Sequence, residues 1–188
     1  MLTLHIFTEE RSAKNVFDEI LPKILPDNVS YNVYPHQGKQ DLEKALKTTV
    51  PTISRFPGAR ILIIRDQDNE DCKTVKERIR EFIGERCSSP PLIRIACHKL
   101  ESWFLGDLNA VSQAYTKVRP EKYQNKKQFR NVDSIAHPDR ILLSIIPEYK
   151  DRLPKLEVSE RISMCLEITG NRSASFNCMI MGIRNLIK

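Results

Sequence analysis

Glycine is scarce in this chain, with six in 188 residues, and none are gathered into the Gly-rich run that a P-loop requires. A nucleotide site of that type is therefore excluded. The five cysteines, at positions 72, 87, 97, 165 and 178, are odd in number and include no CxxC pair. They fit neither a disulfide framework nor a zinc site and read as reduced, cytosolic thiols. Apolar runs extend only a few residues, too short for a transmembrane helix. The opening MLTLHIFTEERS carries neither a basic leader nor a cleavage pattern, so no export signal is visible. The expected location is the cytoplasm. His5, His36, His98 and His137 show no ligand spacing, and Tyr115, Tyr123 and Tyr149 lack the context of a topoisomerase nucleophile. There are no internal repeats and no low-complexity tracts.

What is present is ordinary soluble composition, 40% hydrophobic and 29% charged, with a net charge of +6. The length suits one domain, or a core with a helical appendage. The charge is compatible with a polyanionic partner.

Residues 1–115 alternate strand and helix signals. TLHIF (3–7), VSYNVY (29–34), RILIIR (60–65) and PPLIRIAC (90–97) read as strands. RILIIR is apolar on both faces, as a central strand of a parallel sheet must be. Between the strands lie helical patterns. One is capped by Ser12, carries Val16, Phe17, Ile20, Leu21 and Ile24, and is broken near Pro22. A second follows the loop His36–Lys39, with Asp41 as its cap; a third opens at Asp71. The order predicts an α/β fold, a mostly parallel sheet of about four strands with helices on both faces. Residues 116–188 read as a basic connection and a helical extension. KVRPEKYQNKKQFR (117–130) has six Lys/Arg against one Glu and looks like an exposed link. Helices are expected at 138–147, 157–169 and 175–187, the last capped by Ser175.

The stretch RILIIRDQDNEDC runs from a buried strand directly into crowded carboxylates. Two unit charges about 4 Å apart repel by roughly 4 kcal/mol at an effective dielectric near 20, so something must offset them. In a parallel sheet, ligands bind outside the carboxyl ends of the strands. The first strand delivers Glu9 and Glu10 there, the central one Asp66 and Asp68, and the fourth Glu101. Hard oxygen donors of this kind suit Mg²⁺ or Mn²⁺, whose charge would offset the repulsion. Lys39, beside Gly38 in a strand-end loop, is a candidate phosphate contact. Trp103, Phe104 and Leu100 are expected in the core, and Gly106-Asp107 as a helix stop followed by a new cap. His36 and His98 lie near the same edge as candidates to assist proton transfer. Arg172 is a further candidate phosphate contact.

The glutamate after the first strand and the DxD after a central one resemble the TOPRIM fold of topoisomerases, primases and OLD-type nucleases. More closely, TEERSAKNVFDEILPKIL (8–25), HQGKQDL (36–42), ILIIRDQDNEDCKTVK (61–76), RIACHKLESWFLGDLNAV (94–111) and NRSASF (171–176) resemble domain of unknown function 4276, an uncharacterised bacterial TOPRIM-like family. That resemblance implies Glu9 or Glu10 as the TOPRIM glutamate, Asp66 and Asp68 as the aspartate pair, and Glu101 as the glutamate before tryptophan. Two positions depart from the pattern. Glu10 stands where TOPRIM domains usually have glycine, and Lys99 stands where the family's helix tends to begin with a glutamate, which makes Lys99 a candidate phosphate contact.

Two candidate functions emerge. One is a Mg²⁺-dependent nuclease, with Glu9, Asp66, Asp68 and Glu101 on the metal, the remaining glutamate accepting a proton, and Lys39, Lys99 and Arg172 on phosphate. The 117–130 segment would track the nucleic-acid backbone, with salt-sensitive binding. Resemblance to TOPRIM nucleases extends this to defence against foreign DNA and an ATPase partner. The other is a non-catalytic module that binds a partner protein or nucleotide.

Overall fold

Four strands, β1 (Leu2–Thr8), β2 (Val29–Pro35), β3 (Ala59–Asp66) and β4 (Leu92–Ala96), form one sheet in the order β2-β1-β3-β4. The computed structural model describes residues 1–188. Every strand pair is parallel, with Thr8 opposite both Pro35 and Ile64, and Asp66 opposite Ala96. The α/β fold expected from the alternating pattern is the fold observed.

Alternation along each strand divides the core. Leu4, Ile6, Leu62, Ile64 and Ala96 join one apolar cluster, while Phe7, Ile61, Ile63, Ile93 and Ile95 join the other. Both faces of β3 are thus buried, which is why it reads as an unbroken apolar run. The first face is covered by α1 (Arg11–Ile20), which buries Val16, Phe17 and Ile20. The second is covered by α2 (Lys39–Lys47), α3 (Thr49–Ile53) and α4 (Cys72–Ile83). After β4 the chain returns to the first face through α5 (Glu101–Leu105), α6 (Leu108–Ala114), α7 (Pro138–Ile145), α8 (Lys155–Ser163) and α9 (Ala174–Leu186). Leu142, Ile145, Val158, Ile162, Phe176 and Ile183 from this part share one cluster with Leu4 and Ile64 of the sheet.

The helices that follow the adjacent strands β1 and β3, α1 and α4, lie on opposite faces. The carboxyl ends of β1 and β3 therefore border a crevice, the usual ligand position of an open parallel sheet.

Several local expectations are corrected. Ser12 does not cap α1. Glu10 occupies the cap position without a side-chain bond, and the buried Ser12 donates its Oγ proton to Glu10 Oε2 at 3.3 Å. The α-helix stops at Ile20, and a 3₁₀ turn carries Pro22, whose missing N–H cannot continue an i→i−4 ladder. Asp41 lies inside α2; Gly38 precedes that helix at φ 94°, and Asp41 accepts from the Gln37 amide instead. The last helix is capped by Ser173, whose Oγ accepts from the Phe176 amide. The 117–130 segment is not a free link. It forms short 3₁₀ turns pinned by buried Val118 and Phe129, with its six cations left exposed. Asp71 and Asp107 cap α4 and α6 as expected. Trp103, Phe104 and Leu100 are core residues.

Gly106 between α5 and α6 has a packing reason. A Cβ there would lie 2.0 Å from Asn171 Oδ1, so the NRSASF segment closes directly onto the helix break. Asn171 donates to the Trp103 carbonyl at 2.9 Å, and Ser175 Oγ accepts from the indole N–H at 3.0 Å.

Candidate acidic site

The strand alternation that sorts the core also sorts the acids. Glu10 continues the series Leu4–Ile6–Thr8, and Asp66 continues Leu62–Ile64, so both emerge on the face covered by α1 and α8. Arg65 continues Ile61–Ile63 toward the opposite face, and Glu9 follows Phe7 there. The contacts agree with this parity. Lys155, the first residue of α8, places Nζ 3.3 and 3.1 Å from the two Glu10 carboxylate oxygens and 3.7 Å from Glu101 Oε1. Arg65, only 1% exposed, sets Nε 3.6 Å from Glu9 Oε2 and Nη2 3.1 Å from Glu70 Oε1. Glu70 in turn accepts from Lys39 Nζ at 3.0 Å and from Arg78.

The carboxylates feel one another. Loss of water around Asp66 pushes its pKa well above the ordinary value, and the charges of Glu101, Glu9 and Glu10 push it further, against the pull of Lys155. Burial also raises Glu101; Lys155 offsets part of that, while Asp139 and Glu10 add to it. Glu9 is raised by burial, eased by Arg65, and raised again by Asp68 and Glu10. Burial alone would lower the Lys155 pKa, but Glu101, Glu10 and Asp66 outweigh it and hold the ammonium protonated. The hydrogen bonds from Lys39 and Arg78 bring Glu70 down to about 2. The repulsion written into the sequence is thus met in this structure by two cations, Lys155 on one side of the sheet edge and Arg65 on the other.

Glu9, Glu10, Asp66 and Glu101 are therefore brought to one edge. Asp68 stands apart from the strand alternation. β3 ends at Asp66, and Asp68 takes a left-handed turn conformation, φ 54°, with its amide donating to the His98 carbonyl at 2.7 Å. It acts on Glu9 through charge and lines a cavity of about 310 Å³ with Lys99, His137, Asp139 and Arg140. Lys99 donates to Asp139 Oδ2 at 2.8 Å, which holds the Asp139 carboxyl below its usual range despite burial. Lys39 is joined to Glu70, and Arg172 donates Nη1 to the Gln124 carbonyl at 2.6 Å, so neither is gathered with the acids. His36 Nδ1 donates to the Thr8 carbonyl at 2.9 Å and His98 Nδ1 to the Asp68 carbonyl at 3.2 Å.

Sequence reasoning missed Arg65, Glu70, Asp139 and Lys155. Arg65 was legible: it falls in phase with Ile61 and Ile63 and therefore points into a buried layer. Lys155 carries no local signal, since 145 positions separate it from Glu10.

Whether these residues suit a divalent cation turns on donors and geometry. The donors fit: they are hard oxygens, and the Oε2 atoms of Glu9 and Glu101 are buried with no hydrogen-bond partner, Glu101 being 3% exposed. The geometry is open: no three carboxylate, histidine or cysteine side chains are drawn together closely enough to hold an ion. Beside the acids, Asp139, Arg140, Arg152, Pro154, Lys155 and Glu157 border a cavity of about 980 Å³. No helix is long and apolar enough to cross a membrane.

The model of the family described as Domain of unknown function (DUF4276) matches residues 8–184. No curated protein and no solved structure matches the chain.

Proposed function

The chain belongs to the DUF4276 family, and on that premise we propose that it is a Mg²⁺- or Mn²⁺-dependent phosphodiester hydrolase acting on nucleic acid, with a TOPRIM-like acidic site. One observation carries the reading. Carboxylates from beyond the ends of β1, β3 and β4 act on one another by charge at the crevice between β1 and β3, and Glu9 and Glu101 each keep a buried oxygen that makes no hydrogen bond. Crowded carboxylates in a poorly hydrated crevice take up a proton or are balanced by a cation. Lys155 and Arg65 supply part of that balance and leave two buried oxygens without a hydrogen bond, capacity that a divalent ion would use.

In this reading Asp66, Glu101 and Glu9 would hold the ion, with Asp68 acting on Glu9 through its charge. A divalent ion held there would supply Lewis acidity and neutralise charge on the phosphate. Arg65 works against the burial that raises the Glu9 pKa, and its guanidinium lies beside that carboxylate. Glu10, more exposed than Glu101, accepts the proton of the attacking water. Lys155 and Arg140, which border the 980 Å³ cavity, hold a phosphate of the substrate; Lys99 and His137 line the smaller cavity beside it. The exposed cations of 117–130 track the backbone further out. Lys39 is engaged by Glu70 and Arg172 by the Gln124 carbonyl, so neither is assigned to phosphate. A role in defence against foreign DNA, beside an ATPase partner, follows from the resemblance to TOPRIM nucleases.

The test is cleavage of single- and double-stranded DNA and RNA by the purified chain with Mg²⁺ or Mn²⁺, compared with Asp66→Ala. Loss of cleavage by at least a hundredfold in the variant supports the assignment. Cleavage that survives the substitution refutes it.

A second reading, a non-catalytic module binding a partner protein or nucleotide, draws on the open ligand geometry and on Lys155 standing among the acids. It requires that Asp66→Ala leave partner binding intact and that no divalent ion bind the crevice.

A further inference from the structure

Resting on the divalent-ion reading above, we infer that Lys155 and the divalent cation are alternative occupants of the crevice: the ammonium holds the cation position while the site is empty and swings out when the ion enters. Three features carry this. The first is position. Lys155 Nζ lies within 3.3 Å of both oxygens of Glu10 and 3.7 Å from Glu101 Oε1, the placement of a cation shared between two carboxylates. Asp66 adds its charge to the same ammonium.

The second is unused acceptor capacity. Glu101 Oε2 is buried and has no partner although its twin oxygen faces Lys155. An ammonium is a compact point charge with three donors, and here it leaves that oxygen unsatisfied. A divalent oxygen-seeking ion in the same place could take it as a ligand. No closed three-ligand set surrounds the ammonium, so the entering ion would also have to draw the carboxylates inward.

The third is a route out. Lys155 borders the 980 Å³ cavity as well as the acids, and its side chain is 37% exposed. The backbone that carries it is fixed, because Asn15 Nδ2 of α1 donates to Ser159 Oγ at 2.9 Å and to the Leu156 carbonyl at 3.2 Å. The exchange therefore needs rotation of the flexible four-carbon stem and of the acid side chains, with no movement of α8. The displaced ammonium arrives in the cavity next to Arg140 and Arg152, where a substrate phosphate would meet it. Loading of the ion and recruitment of the phosphate-binding lysine become one event.

The experiment is a Mn²⁺ titration, by calorimetry and by electron paramagnetic resonance, of the full chain and of Lys155→Met and Lys155→Arg. Methionine keeps the stem without the charge; arginine keeps the charge with a firmer two-pronged grip on carboxylates. The expected result is at least tenfold tighter Mn²⁺ binding in Lys155→Met and weaker binding in Lys155→Arg than in the native chain. Removing a nearby charge would tighten binding somewhat even without exchange, so a second readout is needed. The ¹⁵N signal of the Lys155 ammonium, assigned by its loss in Lys155→Met, should be protected from solvent exchange without ion and lose that protection at Mg²⁺ saturation. Equal Mn²⁺ affinity in the native and methionine chains, or an ammonium signal unchanged at saturation, overturns the exchange alone. Absence of binding in every chain overturns the divalent-ion reading and this one with it.

Discussion

Replacing Arg65 with methionine tests the electrostatic construction of the sheet edge most directly. The guanidinium is 1% exposed, with Nε 3.6 Å from Glu9 and Nη2 3.1 Å from Glu70. At an effective dielectric of about 20, each pair is worth about 5 kcal/mol of Coulomb energy before desolvation. Removing one partner of a buried pair costs about 3–5 kcal/mol, because the other charge is left uncompensated. Glu70 keeps Lys39 and Arg78, so the penalty falls on Glu9. For a chain of this length, about 3–5 kcal/mol lowers Tm by about 6–20 °C. Urea denaturation followed by circular dichroism supplies the free energies. The discriminating step is the double variant Arg65→Met/Glu9→Gln, which should recover about 1–3 kcal/mol as a coupling energy. The loss should also depend on pH. Without Arg65, the Glu9 pKa rises further above its unfolded value, so its charge destabilises the fold at pH 7 and ceases to do so as pH falls and the carboxyl is protonated. A cost below about 1 kcal/mol, or no recovery in the double variant, would refute the assignment of Arg65 as the counter-charge of Glu9.

Asp66→Asn should stabilise the fold at pH 7 by about 0.5–2 kcal/mol while abolishing cleavage, the trade expected where a site holds mutually repelling groups. The sign follows from a folded pKa raised above the ordinary value of 3.8: ionising Asp66 costs more in the folded than in the unfolded chain, so the gain is present at neutral pH and vanishes below about pH 4. Thermal melts of both chains at pH 4 and pH 7.5 check it, and an unchanged difference between the two pH values would contradict the sign. Asp133→Ala should cost about 2–4 kcal/mol, because Oδ2 accepts from the Ser175 amide and Oδ1 from Ser173 Oγ, both at 2.7 Å, at the start of α9. Denaturant melts measure that cost, and hydrogen exchange should show the first turn of α9 opening before the sheet.

The two-faced burial of β3, the parallel pairing of the strands and the position of Glu101 one turn beyond β4 were all legible along the chain, whereas the strand order was not. Each rests on local pattern: alternation in RILIIRD, strands alternating with helical spacings, and an acid one turn beyond a strand end. Parity alone divides Glu10 and Asp66 from Glu9 and Arg65, once strand limits are known to the residue. A one-residue slip in the pairing register of β1 would exchange the two glutamates. The caps at Ser173 and Gly38 were less legible, because neighbouring Ser175 and Asp41 have equally suitable side chains and only the packing of α9 and α2 selects between positions.

From the order of its residues alone, the chain determined a parallel α/β sheet and the delivery of acids to one edge of it, since both depend on periodicity and on the residues placed just beyond each strand. Only the tertiary structure decided which cation stands among those acids. Lys155 is brought to Glu10 across 145 positions by the docking of α8 on α1, and no short-range pattern marks a lysine for that place. Apolar burial positions the helix; the charge its first residue carries into the crevice is a consequence of where the helix lands.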